Sequence, residues 1–272
     1  MAEVVTGEDG ASFLERTCSY EWPEDGAEPA GLFTWIRPAV DGADQPSAQA
    51  AGKIAHSVAE FFAEHPDATR DCEGRNPALF ESLAAALISY QGAMVGDPAG
   101  TTGFAPLDAP DSDMPRTASL FSTMNSAGPA GQGFVAEARQ RVDRYEEAFA
   151  DQAAADPAAP ITGSVRGETK FAGRLLGLIA RVEQDGEGGR VSLSGPKSQL
   201  EYAVVSRMVR GSDPRISAQF FDPQGTLISP GRVDNAQSSL YAAQLSNFLS
   251  AYPAVSAAIA DFNDNYQRIA NA

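Results

Sequence analysis

Two histidines, His56 and His65, are all this chain offers for imidazole acid–base or metal chemistry. They stand nine residues apart, which fits no zinc spacing. No Gly-x-Ser-x-Gly, Walker A, His-Glu-x-x-His or Cys-x-x-Cys string accompanies them. Ser194-Gly195-Pro196-Lys197 matches the Ser-x-x-Lys string of acylating serine enzymes but lacks its companion motifs. Asp261, Asn263 and Asn265 repeat the first three ligands of an EF-hand loop. That loop needs Gly at its sixth position and Glu at its twelfth, and Tyr266 and Ala272 stand there instead. Asp108, Asp111 and Asp113 could meet a weakly held Ca²⁺, but a solvated acidic loop is the simpler reading. Glu137 and the pair Glu146-Glu147 read as an exposed helical face, and paired-carboxylate catalysis needs a cleft. The chain therefore reads as non-enzymatic, with no catalytic residue, cofactor or metal site assigned. Cys18 and Cys72 are too few for a disulfide scaffold or a cysteine zinc site. They read as free, partly buried thiols, and one disulfide stays open if the protein is exported.

The elements that would carry these residues are helical. The strongest runs from Asn76 to Met94. Asn76 is placed to cap it through its side-chain oxygen, and Pro77 suits the first helical position, where an N–H is not needed. Leu79, Leu83, Leu87, Tyr90 and Met94 follow at helical spacing, with Phe80, Ala84 and Ile88 beside them. This wide apolar face predicts a central helix over 77–95, ended by Gly96, Pro98 and Gly100, with Phe104 and Leu107 pinned back to the core.

Other helices are predicted over 9–20, 47–64, from Arg116, along Phe134–Phe149, over 164–182, around Leu200–Met208, and on both sides of Pro253. Leu32, Phe33, Trp35 and Ile36 form a compact apolar block. Residues 67–75, 125–133, 151–160 and 184–189 read as polar or Gly/Pro-rich breaks. Gly173 and Gly177 share one side of their helix and predict close contact with a neighbour. The aromatics Trp22, Phe33, Trp35, Phe61, Phe62, Phe80 and Tyr90 fit core packing. Residues 216–233 hold two short apolar runs around Asp222-Pro223-Gln224-Gly225 and are the one candidate β-hairpin; a loop with one helical turn is the alternative. The fold class is mainly α, an irregular multi-helix bundle. Residues 97–116, with Asp97, Asp108, Asp111, Asp113 and four prolines, are the candidate linker. They divide an acidic helical part, 1–113, from a second helical part, 114–272, expected to pack together as one unit.

The chain has 272 residues, 43% of them hydrophobic, enough for a real core, and no apolar run approaches the ~18–20 residues of a membrane span. Residues 1–113 hold 20 acidic and 5 basic side chains, a balance of −15, whereas the rest is near neutral. Such a surface repels nucleic acid and anionic lipid. The start, MAEVVTGEDG, lacks the basic and apolar regions of a Sec signal.

Two stretches carry a family resemblance: VVTGEDGASFLERTCSYEWPEDGAEPAGLFTWI (4–36) and NPALFESLAAALISYQGAMVGDPAGTTGFAPL (76–107). With the Phe61-Phe62…His65-Pro66 stop and GRLLGLI (173–179), they resemble a helical region of large actinobacterial proteins labelled as TPR-repeat-region proteins and associated with type VII (WXG-type) secretion. The resemblance covers about two thirds of the chain and weakens after residue 183, and no 34-residue repeat pattern is visible. It implies a structural or protein-interaction module, part of a longer chain, whose partner is another protein or another domain of that chain. It also implies residence in the cytoplasm or export by the non-Sec type VII route. The acidic first part motivates a second class, an immunity-like neutralising partner of a basic toxin. A third is an enzyme with an unrecognised carboxylate site.

Overall fold

The structure is a computed structural model that describes residues 2–37, 45–99, 102–161, 164–184, 195–209 and 211–272. Its described residues are mainly α, an irregular multi-helix bundle, with no β-sheet. The helices run α1 (Ala2–Val5), α2 (Gly10–Ser19), α3 (Ala27–Ala30), α4 (Gln45–Glu64), α5 (Pro66–Arg75), α6 (Pro77–Ile88) and α7 (Gln91–Met94). They continue with α8 (Pro115–Ser126), α9 (Gly128–Ala155), α10 (Ser164–Gln184), α11 (Pro196–Met208), α12 (Ser238–Leu249) and α13 (Pro253–Ala270). No helix among the described residues is long and apolar enough to cross a membrane.

The chain forms two compact units, one of Met1–Gln140 with Leu178–Asp185 and Ala272, the other of Arg141–Gly177 with Gly186–Asn271. The division falls within α9, after Gln140, and not at the expected linker near 113. The reason is that the proline-rich stretch is itself tied down. Phe104 and Leu107 are buried, and Phe104 stacks on Tyr90 at 5.0 Å. Asp108 accepts from the Arg116 and Thr117 N–H groups at 3.2 and 2.7 Å and so caps the start of α8. Gly103, at φ +82°, lies so close to α4 that a Cβ would meet the Gln49 carbonyl oxygen at 2.3 Å.

In the first unit, α4 buries Ile54, Ala55, Val58, Phe61 and Phe62 and packs on α8, α2 and α6. Phe62 meets Phe80 of α6 at 5.7 Å. The expected single helix over 77–95 is interrupted at Ser89–Tyr90, where Tyr90 leaves helical geometry (φ −98°, ψ 3°). Tyr90 itself is buried, and the burial pushes its hydroxyl pKa up to about 12. The expected polar loop at 67–75 is the helix α5. Only Thr69 and Cys72 face inward, so its apolar stripe is too narrow to stand out among charged neighbours. Pro66 opens α5, and the Thr69 hydroxyl donates to the His65 carbonyl at 2.9 Å. The expected break at 125–133 shrinks to Ala127, because Gly128 and Pro129 sit in the first turn of α9, where they cost little.

In the second unit, Gly173 and Gly177 of α10 lie against α13. A Cβ on Gly173 would meet the Phe262 carbonyl oxygen at 2.3 Å, and one on Gly177 the Ile269 Cβ at 2.9 Å. α11 packs on α12 and α13; it buries Leu200, Val204 and Val205, and its neighbours bury Leu245, Phe248 and Ile259. Residues 216–233 form no strand ladder. One antiparallel bridge, Phe221 to Leu227, closes a tight turn, flanked by 3₁₀ turns at Ala218–Phe220 and Pro230–Arg232. The Asp222 carboxylate takes the Gln224 and Thr226 N–H groups at 3.0 and 2.8 Å, which commits the backbone to the turn. The break expected at 184–189 and Ser194 lie outside the described residues apart from Gln184, the last residue of α10.

Candidate functional site

The described residues with chemical potential are dispersed, and most are engaged in structural contacts. His56 on α4 places Nδ1 2.8 Å from the Ala105 carbonyl and meets Phe104 edge-on. His65 places Nδ1 3.1 Å from the Phe61 carbonyl and stacks on the Phe61 ring. Asp108 is the cap of α8 and also accepts from the Thr117 hydroxyl at 2.7 Å. Asp261, Asn263 and Asn265 lie within α13, not in a loop. Lys170 stands 3.9 Å from Asp261, and Asn265 accepts from Arg174 at 3.1 Å and Arg268 at 2.9 Å. Lys197 stands 3.7 Å from Glu201, one helical turn away. Among the described residues no cluster of three His, Cys, Asp or Glu side chains is placed to hold a metal ion.

Among the described residues, two carboxyl groups are pushed above their ordinary range. Glu146 was expected on an exposed face but is half-buried, and burial reinforced by the Asp143 charge pushes its pKa up to about 8. Glu201 is buried between α11 and α12. Desolvation raises its pKa, against the pull of the Ser246 hydroxyl at 2.6 Å and of Lys197. Shifted carboxyls mark functional sites when they face a cleft. Glu146 and Glu201 line none of three concavities in the first unit, of about 540, 560 and 310 Å³.

Two of those concavities meet along the outward face of α6. One, of about 540 Å³, lies between α6 and residues 30–37; the other, of about 560 Å³, lies between α6 and the start of α9. Arg37, Glu81 and Ala85 line both, so they form one groove. Its floor is the half-buried Ala78, Ser82, Ala85 and Ile88, on the side of α6 away from the buried Leu79, Leu83 and Leu87, with buried Ala84 at its edge. Among the described residues its rim carries Glu73, Glu81 and Glu137 against one cation, Arg37.

The groove can exist because Asn76 anchors α6 at its start. Asn76 does not cap the helix through its side chain, as the sequence suggests. It is fully buried and reaches back to the preceding segment. Its Nδ2 donates to the Cys18 and Tyr20 carbonyls at 3.0 and 2.8 Å, and its Oδ1 accepts from the Trp22 N–H at 3.1 Å. This clamp holds residues 18–22 against α6. Phe33 and Ile36 are buried farther along, whereas Leu32 is exposed and Trp22 and Trp35 are half-buried. The sequence carries no site motif here. The available signal was Ala78, Ser82 and Ala85 at helical spacing on the face away from the leucines.

No family model, curated protein or solved structure matches the chain.

Proposed function

We propose that this chain is a non-enzymatic helical interaction module that seats a basic amphipathic helix of a partner protein in the groove along Pro77–Ile88. The groove is the observation that carries the reading. Small side chains on its floor leave room for a partner's Leu, Ile or Phe, the arrangement of helix-in-groove recognition. Glu73, Glu81 and Glu137 on the rim favour Lys and Arg beside those anchors. The balance of −15 over residues 1–113 steers a cationic partner towards the same unit and away from anionic ones. The resemblance of residues 4–36 and 76–107 supports a setting in type VII secretion-associated actinobacterial proteins, with the partner a protein of that system or another domain of a longer chain.

Ala85→Trp tests this by filling the groove from its floor without entering the core. In an actinobacterial host, chemical crosslinking and recovery of the tagged protein should yield one predominant adduct with the unaltered chain. The variant should lose it at least tenfold, at roughly unchanged melting temperature. Equal recovery with both chains contradicts the reading. The same charge favours a second reading, neutralisation of a basic toxin. That complex would weaken steeply with salt, whereas a complex held by apolar anchors would change little.

A further inference from the structure

We propose that Cys18 and Cys72 are a latent disulfide, able to staple α2 to α5 when the chain meets a low-molecular-weight disulfide oxidant. They are the two cysteines of the chain, 54 residues apart in sequence, and both are free and buried. They lie on α2 and α5, which pack against each other. Asn76 brings their backbones together independently of the thiols. Its side chain donates to the Cys18 carbonyl at 3.0 Å, and its own N–H donates to the Cys72 carbonyl at 2.8 Å. The two thiols are close enough that Cys18 is the first cause of the upward shift at Cys72.

The chemistry is thiol–disulfide exchange. One thiolate attacks the oxidant's S–S bond and releases one small thiol; the second thiolate then displaces the other and closes the Cys18–Cys72 bond. Two protons and two electrons leave the pair, and the oxidant is reduced to two thiols. The neighbouring Cys18 side chain, and then burial, push the Cys72 thiol far above its ordinary range, so Cys72 carries little thiolate in the closed fold, and both thiols are buried from an oxidant. The folded, reduced protein therefore resists oxidation, and the bond forms as the region folds or transiently opens. Once closed, it constrains a long loop of the unfolded chain, the situation in which a crosslink stabilises most.

The test is to refold the full chain from denaturant with oxidised and reduced glutathione, trap free thiols with iodoacetamide, and measure intact and peptide masses. The expected product is monomeric, two hydrogens lighter, unalkylated, and yields a Cys18–Cys72 linked peptide. It should melt about 10 °C above the reduced form, and dithiothreitol should reverse the shift. Cys18→Ser and Cys72→Ser should each take a single glutathione instead; the measurement on the unaltered chain stands whether or not they fold. Recovery of both cysteines alkylated or glutathionylated would overturn the proposal. So would disulfide-linked dimers, or a crosslinked form that melts below the reduced one.

Discussion

Asn76 of the first unit and two carboxyls of the second are taken from water in opposite ways. In the first, Asn76 is neutral, wholly buried, and has both donors and its acceptor engaged by backbone from 18–22. In the second, the polar groups taken out of water include carboxyls, Glu201 and Glu146, whose pKa values rise because desolvation exceeds the help available to the charged form. A satisfied amide locks geometry at any pH, whereas a buried carboxyl makes stability depend on pH. The difference fits the docking role proposed for the first unit. The groove-bearing unit needs a fixed α6, and the other needs close helix packing.

The largest expected effect is at Asn76. Asn76→Asp keeps the shape but faces the Cys18 and Tyr20 carbonyls with oxygen, so stability should fall by about 3–4 kcal/mol in chemical denaturation. A loss under about 1 kcal/mol would remove the clamp from the account.

Next is Gly173→Ala in the second unit. The added Cβ meets the Phe262 carbonyl oxygen at 2.3 Å and must push α10 from α13, at a cost of about 2–3 kcal/mol. A neutral or stabilising result would show that the helices are not in close contact there.

Asp108→Ala should cost about 1–2 kcal/mol by uncapping α8, with faster hydrogen exchange confined to the first turn of that helix.

The smallest effect sharpens the contrast between the units. Glu146 binds its proton more tightly folded than unfolded, so the stability from this group is full at low pH. It is lost between the ordinary carboxyl range and about pH 8. Glu146→Gln should match the unaltered chain near pH 5 and exceed it by about 1 kcal/mol at pH 8 and above. Asn76→Asp should show no such reversal at alkaline pH.

Much of the fold was legible in the sequence because apolar side chains recur at helical spacing. Leu79, Leu83 and Leu87, or Val255, Ile259 and Phe262, announce their helices and their buried faces. α5 was not legible, because two inward residues among eight polar or small ones make no stripe. Nor was the role of Asn76. An Asn before Pro at a helix start is an ordinary cap signal, and only the return of residues 18–22, more than fifty positions earlier, diverts its side chain. Asp108 shows the same effect in reverse, since a residue in an acidic loop becomes the cap of a helix that begins seven positions later. The Cys18–Cys72 pairing also depends on tertiary contact, which no local pattern encodes. The groove is not legible because, Ile88 apart, its floor is built of small side chains, whereas helical periodicity is carried by large ones.

The central claim is that the outward face of α6 is the docking surface. The most direct measurement places a photo-crosslinkable amino acid at Ala85 in one chain and at exposed Gln267 of α13 in another, each expressed in an actinobacterial host. Irradiation should give a discrete adduct from position 85, lost on adding Glu81→Lys and Glu137→Lys, and none from position 267. Adducts of equal yield from both positions, or an adduct at 85 indifferent to charge reversal, would contradict the account.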